Sequence, residues 1–347
     1  MTSLQTSSSS SSDSEDIPVI RKAKVYRIRE NNLDKFDELE FFQRFRIRKR
    51  TFLVLLEKIK DNIEPTTNRG GSIKADSQVL LTLRFYATGS MLRAVGDFAG
   101  VSIASASRIV RRVSENIAAL RSTYIKMPNS VQECEILATE FYRVARFPKV
   151  IGAIDCTLIR IQNPGGEDAE IYRTRKQYFG YNVQTVSDPS LKIRDIVARW
   201  PGSTHDETIF NNSQLKQHFE SGHYGNYFLV GDSGYRLRPY LMTKLMSCTT
   251  EAHNLFNESI IRTRNVVERQ YGVWKRRFPI LSLGMRLQKR TIKAIIVATA
   301  VLHNLAILEN EGIPEDWIEH AENEEDVGEP VGEQGHGGQD QSGQMTR

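Results

Sequence analysis

Hydrophobic positions keep one spacing through the first part of the chain and another from Lys149 onward. Up to that point apolar residues recur every three or four positions, over Leu33–Phe45 and Arg50–Ile63 and, after a breaker at Pro65–Gly71, over Ser77–Thr88, Met91–Phe98 and Ile103–Leu120. This is the period of helices with one buried stripe. Beyond it, Val150–Ile154 (VIGAI) is a continuous apolar run, as a central strand requires. Tyr181–Val186 and Leu191–Ala198 alternate on either side of Asp188-Pro189-Ser190 and predict a hairpin. Tyr227–Gly231 predicts another short buried strand. Thr204–Leu215, Ser259–Phe278 and Arg290–Glu309 return to a helical period, and Thr204 with Glu207 fits a capping box. The order predicts an α/β protein, a mixed sheet flanked by helices behind an all-helical region.

Composition sets the outer limits of this plan. Residues 1–21 open on a serine tract followed by Asp13, Glu15 and Asp16, and residues 311–347 are acidic and rich in Gly and Gln; both read as disordered tails. Between them lie a helical region (22–126), a linker helix (127–148) and the sheet domain (149–310). Of the 47 Lys and Arg and 42 Asp and Glu, one base and eleven acids fall in 311–347 and three acids in 1–16. Residues 17–310 therefore keep 46 bases against 28 acids, a net +18. A basic body between acidic tails points to a polyanionic partner, DNA first, with a plain solvating surface as the alternative. No run of eighteen apolar residues occurs, so no membrane span is expected. Cys134, Cys156 and Cys248 form no CxxC pair, which suits a reducing compartment and offers no zinc site.

Within the helical region, Ala99-Gly100-Val101-Ser102 joins two helices. Gly100 suits a left-handed position closing the first, and Ser102 suits the N-cap of the second. That is the helix-turn-helix plan, whose second helix enters the DNA major groove. Here the second helix presents Arg108, Arg111 and Arg112. An ordinary helical hairpin with a basic face fits the same pattern.

The candidate chemistry lies in carboxylates. Asp155 follows VIGAI and Asp232 follows YFLVG, which places both beyond strand ends, where open α/β sheets bind ligands. Two such acids repel unless a cation lies between them, and hard oxygen donors select Mg²⁺ or Mn²⁺. Glu268 falls in a helix beside Val266, Val267 and Tyr271, where a charge is costly without a metal or a base. Asp206 is either a further ligand or an acid favoured at a helix start by the dipole. His205 is a ligand, an acid/base or a cap contact.

At these residues the chain resembles the DDE transposase domain of the Harbinger superfamily, including its host-domesticated nuclease relatives. The matching stretches run in family order from about Ile151 to Asn304: GAIDCTLI, YRTRKQYFGYNVQTVSD, IVARWPGSTHDETIF, YFLVGDSGYRLRPYLMT, RNVVERQYGVWKRRFPIL and VATAVLHNLA. The resemblance implies a ribonuclease-H-like fold, with Asp155, Asp232 and Glu268 as the catalytic triad and Asp206 as a further metal ligand. The chain departs from the family after the first Asp, where Thr157 is followed by Leu158 and not by His.

The expected reaction is hydrolysis of a DNA phosphodiester by two divalent cations, Mg²⁺ or Mn²⁺. Asp155 bridges the ions, Asp232 and Glu268 each hold one, and Asp206 completes the shell. Lys275 and Arg276 on one side, and Arg173, Arg175 and Lys176 on the other, form basic clusters that suit phosphate contacts or solvation. Arg46–Arg50 (RIRKR) has the composition of a nuclear localisation run, or of one basic helix face. The resemblance also implies a Myb/SANT-like partner that brings the enzyme to the nucleus and to DNA. A homo-oligomer and a cytoplasmic share are left open. The competing expectation is a domesticated DNA-binding or scaffold protein that keeps the fold without catalysis, which Leu158 favours.

Overall fold

The computed structural model describes residues 32–67 and 72–317. The tail expected over residues 1–21, and residues 318–347 of the C-terminal tail, lie outside the described residues. Helices α1 (Asn32–Lys35), α2 (Glu38–Phe45), α3 (Lys49–Ile63), α4 (Ala75–Thr88), α5 (Leu92–Ala99), α6 (Ile103–Ala119), α7 (Arg121–Tyr124) and α8 (Val131–Ala145) come first. Next come β1 (Val150–Arg160), β2 (Gly180–Ser187), β3 (Ile193–Pro201), α9 (Asp206–Asn211) and α10 (Gln214–Glu220). Then β4 (Phe228–Val230), β5 (Leu241–Met242), α11 (Glu251–Arg277) and α12 (Lys289–Leu308) complete the chain.

The five strands lie in the order β3-β2-β1-β4-β5. β1, β2 and β3 are antiparallel neighbours, whereas β4 and β5 run parallel to β1. This is the ribonuclease-H-like mixed sheet that the sequence led us to expect. Every residue of β2 is buried, as its place between two strands and under helices on both sides demands. One apolar cluster joins Phe52, Val79, Ile109 and Val113 of the helical region to Val183, Val266, Ile295 and Val301 of the sheet domain. The helical region and the sheet domain therefore share one core. A smaller cluster of Ile151, Ile154, Phe210, Leu229 and Tyr235 closes the other face of the sheet.

Four local features differ from the expectation. β1 does not stop at Ile154: it continues through Asp155 to Arg160, because Cys156–Arg160 pair in register with Gln184–Gly180 of β2. Asp155 is thus a mid-strand residue. The helix expected over Thr204–Leu215 breaks into α9 and α10, with Ser213 capping the second. The Thr204–Glu207 box is absent: His205 occupies the N-cap without a side-chain bond, and Glu207 instead pairs with Arg238 at 2.6 Å. Finally, α11 begins at Glu251, capped by Thr250, and not at Ser259.

The acidic tail also starts later than expected. The buried Glu311 carboxylate accepts from Arg48 N at 2.7 Å and from Arg277 Nη1 at 2.9 Å. Trp317 stacks on Phe42 with ring centroids 5.9 Å apart. Residues 311–317 are therefore packed structure, held by Trp317 and Ile313 against the first helices. The RIRKR run is the other half of this contact: Arg46 lies over Trp317 and Arg50 pairs with Glu309 at 2.9 Å.

Helix α12 is long and apolar enough to cross a membrane, yet 72% of its most apolar 18-residue stretch is buried inside the protein. Its polar residues are matched to the sheet. Asn304 accepts from Ile193 N and donates to Ile193 O, at 2.8 and 2.7 Å, and His303 Nε2 lies 2.8 Å from Leu191 O. Hydrogen bonds of this kind place α12 in a core.

The turn between α5 and α6 has the anticipated geometry. Gly100 has φ 64°, and the Ser102 hydroxyl accepts from Ser105 N at 3.2 Å.

Candidate metal centre

Parallel pairing brings the first two acids together. Ala153 of β1 lies beside Val230 of β4, so two residues further along Asp155 and Asp232 are neighbours across the gap that opens where β4 ends. Asp206, at the first turn of α9, completes the group. One carboxylate oxygen from each of Asp155, Asp206 and Asp232 lies within 4.8 Å of the other two, and all three residues are half-buried.

Each acid is individually aimed. Asp155 Oδ1 accepts from Cys156 N at 2.7 Å, while Tyr271 of α11 donates to the Asp155 carbonyl at 2.6 Å. The Tyr271 hydroxyl is itself 3.0 Å from Thr185 Oγ1. Asn182 on β2 donates to Asp206 Oδ1 at 2.7 Å and to Thr204 O at 2.8 Å, which ties the start of α9 to the sheet. Asp232 Oδ1 accepts from Gly234 N at 3.0 Å. Glu207 receives Arg236 N at 3.0 Å as well as Arg238, and so anchors the loop that carries Asp232.

Electrostatics mark the group as short of positive charge. Burial pushes the Asp155 carboxyl up to about 7, and the neighbouring Asp232 and Asp206 add to this against Arg264 and the Cys156 N–H. Burial also raises Asp232, opposed by the Gly234 N–H, Arg264 and Arg175. A cation among the three would remove the repulsion. The donors suit one: all are carboxylate oxygens, the hard ligands of Mg²⁺ and Mn²⁺. Room is kept by Gly234, where an added Cβ would stand 3.0 Å from Asp232 Oδ1 and 3.6 Å from Asp206 Oδ2.

Glu268 stands outside this group of three. It lies on α11, half-buried, and its carboxylate is held by Arg264 one turn earlier. Arg264 links the two sets, since its charge also lowers Asp155 and Asp232. The sequence argument that a buried Glu268 needs a metal or a base is met here by the base. His205 is exposed and makes no cap contact, and Leu158 sits half-buried in β1 opposite Asn182.

The basic candidates divide into three groups. Arg108, Arg111 and Arg112 lie exposed on α6, with Arg112 bonded to Gln78 and Arg108 Nη2 3.4 Å from Ser105 Oγ. Arg175 and Lys176 are exposed on the approach to β2, and Arg175 reaches Asp232 electrostatically. Arg173 instead grips Glu170 through two bonds of 2.7 and 3.0 Å. Lys275 and Arg276 are half-exposed on α11, each with a partner in the protein. The next residue, Arg277, and Trp274 are fully buried and serve the core. Sequence reasoning missed Asn182, Glu207, Arg264 and Tyr271. Only Arg264 carried a readable signal, the four-residue spacing to Glu268 on one helix face.

Comparison with known proteins bears on this geometry. A family described as "DDE superfamily endonuclease" matches residues 154–304, which include all four acids. The chain is 34% identical over 256 residues to "Putative nuclease HARBI1" of Homo sapiens, covering 73% of each chain. It is 30% identical over 257 residues to the Xenopus laevis protein of the same name, covering 73% of this chain and 74% of that one. The Arabidopsis thaliana "Protein ALP1-like" is 24% identical over 292 residues, 78% of this chain and 71% of the relative. No solved structure matches. The chain belongs to the DDE endonuclease superfamily, in its Harbinger transposase-derived family.

Proposed function

We propose that the protein is a divalent-metal-dependent endonuclease that hydrolyses DNA phosphodiester bonds. The observation that carries this reading is the convergence of Asp155, Asp206 and Asp232 within 4.8 Å. Asp155, Asp206 and Asp232 would hold the metal, with Glu268 joining them once released from Arg264. Bound Mg²⁺ or Mn²⁺ supplies an activated water and stabilises charge on the phosphate. The protein's own residues do the positioning. Asn182 orients Asp206, Tyr271 fixes the β1 backbone at Asp155, and Gly234 N–H holds Asp232. Arg175, exposed and within electrostatic reach of Asp232, would draw a substrate phosphate by its charge, with the exposed Lys176 next to it in the chain adding to the pull. Arg108, Arg111 and Arg112 on α6, with Lys275 and Arg276, supply further DNA contacts, while Arg173 is committed to Glu170. Action in the nucleus, with a Myb/SANT-like partner delivering the enzyme, belongs to the same reading, and the resemblance to Harbinger elements supports it.

The test is nicking of supercoiled plasmid by the full chain in Mg²⁺ or Mn²⁺ against EDTA. Wild type nicks only with metal, and Asp155→Asn loses roughly a thousandfold or more of the rate, several kcal/mol of barrier. Unreduced nicking by Asp155→Asn would overturn the assignment. A second reading, a DNA-binding protein without catalysis, draws on the Arg264–Glu268 pair, which withholds the fourth carboxylate. It predicts DNA binding with no metal-dependent nicking at all.

A further inference from the structure

A groove of about 530 Å³ runs along the seam between α6 and the segment that leads into α12. Among the described residues four cations line it, Arg108 and Arg111 from α6 and Arg286 and Lys289 from the opposite wall, and no carboxylate does. Gln162 and Asn163, just beyond the end of β1, form the third side. The walls are tied to one another. Met285 N donates to Arg160 O at 3.2 Å and Gln162 N donates to Met285 O at 3.1 Å, so the segment before α12 pairs with the strand. Gln162, its amide oxygen turned toward Arg286, accepts from Nε at 2.7 Å and from Nη2 at 3.2 Å. Lys289 Nζ lies 4.4 Å from the centre of the Tyr172 ring. Four like charges around one groove repel unless an anion enters it. An open channel with cations on both walls and amides on the third side matches a run of phosphates, since backbone contacts are made by Arg, Lys and amide groups of this kind.

We propose that this groove is a track for the phosphodiester backbone of duplex DNA, gripped jointly by α6 and the residues leading into α12. The inference rests on the endonuclease reading and adds a structural consequence to it. β1 carries Asp155 and runs directly into the residues that form one side of the groove, so one stretch of chain sets the distance from the track to the acids. The cut therefore falls at a fixed offset from the base pairs beside α6.

The test is equilibrium binding of the full chain to a fluorescent duplex in EDTA, across a salt series. Each lost phosphate contact should flatten the slope of log K against log salt by about 0.9. R286A/K289A is thus expected to flatten it by about 1.8, and R108A/R111A by a similar amount. The charge reversal R286E/K289E should weaken binding further, with circular dichroism unchanged. An unchanged slope in a folded R286A/K289A protein overturns the inference, as does absence of duplex binding by the wild type. Binding in EDTA needs no catalysis, so the two claims fail separately. Metal-dependent nicking with an unaltered slope removes the track alone, and a flattened slope without nicking removes the nuclease alone.

Discussion

Two charged clusters share helix α11 and settle their charge differently. At its C-terminal end the Arg277 guanidinium, 0% exposed, meets the Glu311 carboxylate, 1% exposed, at 2.9 Å, and also donates to Arg46 O at 3.2 Å. That pair is answered within the chain. Near the middle of the same helix, Arg264 stands against Glu268, Asp155 and Asp232, with Asp206 beside them. Here carboxylates outnumber the cation, and Asp155 is pushed up to about 7. A charge placed for the fold finds its partner in the fold. The second group is left with more negative than positive charge, and a bound cation would relieve that imbalance.

The largest effect expected from this contrast is on metal binding. Wild type should gain thermal stability on addition of Mn²⁺, and Asp232→Asn or Asp155→Asn should lose that gain and with it about a thousandfold or more of the nicking rate. Calorimetric scans with and without Mn²⁺ check the first part. Equal Mn²⁺ stabilisation of both variants would show that the acid deficit is not what binds the ion.

The buried pair should respond the opposite way, in folding and not in metal binding. Arg277→Met leaves the buried Glu311 charge without its cation, a change worth about 3–5 kcal/mol of stability. Arg277→Met with Glu311→Leu together should recover most of that loss. Urea unfolding of the three proteins measures it, and a double variant no better than the single would mean that packing on Trp317, not charge, is what Arg277 provides.

A smaller effect has its sign fixed by Asp155. Its folded value of about 7 lies above the ordinary 3.8, so the folded state favours the protonated carboxyl. Metal-free wild type should therefore lose stability as pH rises from about 4 through 7, the reverse of an ordinary paired carboxylate. Asp155→Asn removes this dependence. At pH 8 in EDTA the variant should be the more stable protein by about 1–3 kcal/mol, allowing for the partial exposure of the site. At pH 5 the gap should shrink to roughly two-fifths of that, and it should close near pH 4. A wild type more stable than Asp155→Asn at pH 8 would refute the deficit.

The same contrast explains what could be read in the sequence. The sheet core and the helical region were legible because burial imposes a local period, two in strands and three to four in helices. Asp155 and Asp232 were found as neighbours because each follows an apolar run, even though β1 turned out to continue past Asp155. Cys156, Thr157 and Leu158 carry no alternation, and their pairing with Gln184, Val183 and Asn182 is a long-range fact. Arg277–Glu311 and Asn182–Asp206 escaped for the same reason: hydrogen bonds between residues 34 and 24 apart leave no periodic mark. From sequence the RIRKR run has the composition of an address or of a basic helix face, and its contacts with Glu309, Glu311 and Trp317 stay hidden because these lie at the far end of the chain.

Arg264 brings the comparison to its finest point, since its charge acts on both Asp155 and Asp232 while its side chain holds Glu268. If it acts as a placeholder, it competes with the metal for Asp155 and Asp232 and keeps Glu268 out of reach. Arg264→Met should then free Glu268 and tighten Mn²⁺ binding by up to about tenfold, a matter of ~1.4 kcal/mol. The same change should lower the stability of the metal-free protein at pH 8, where the acids lose the Arg264 counter-charge. Titration calorimetry with Mn²⁺ and unfolding in EDTA read these two effects independently. Weaker Mn²⁺ binding in Arg264→Met would assign Arg264 the contrary role, a group that shapes the site for the ion and does not stand in for it.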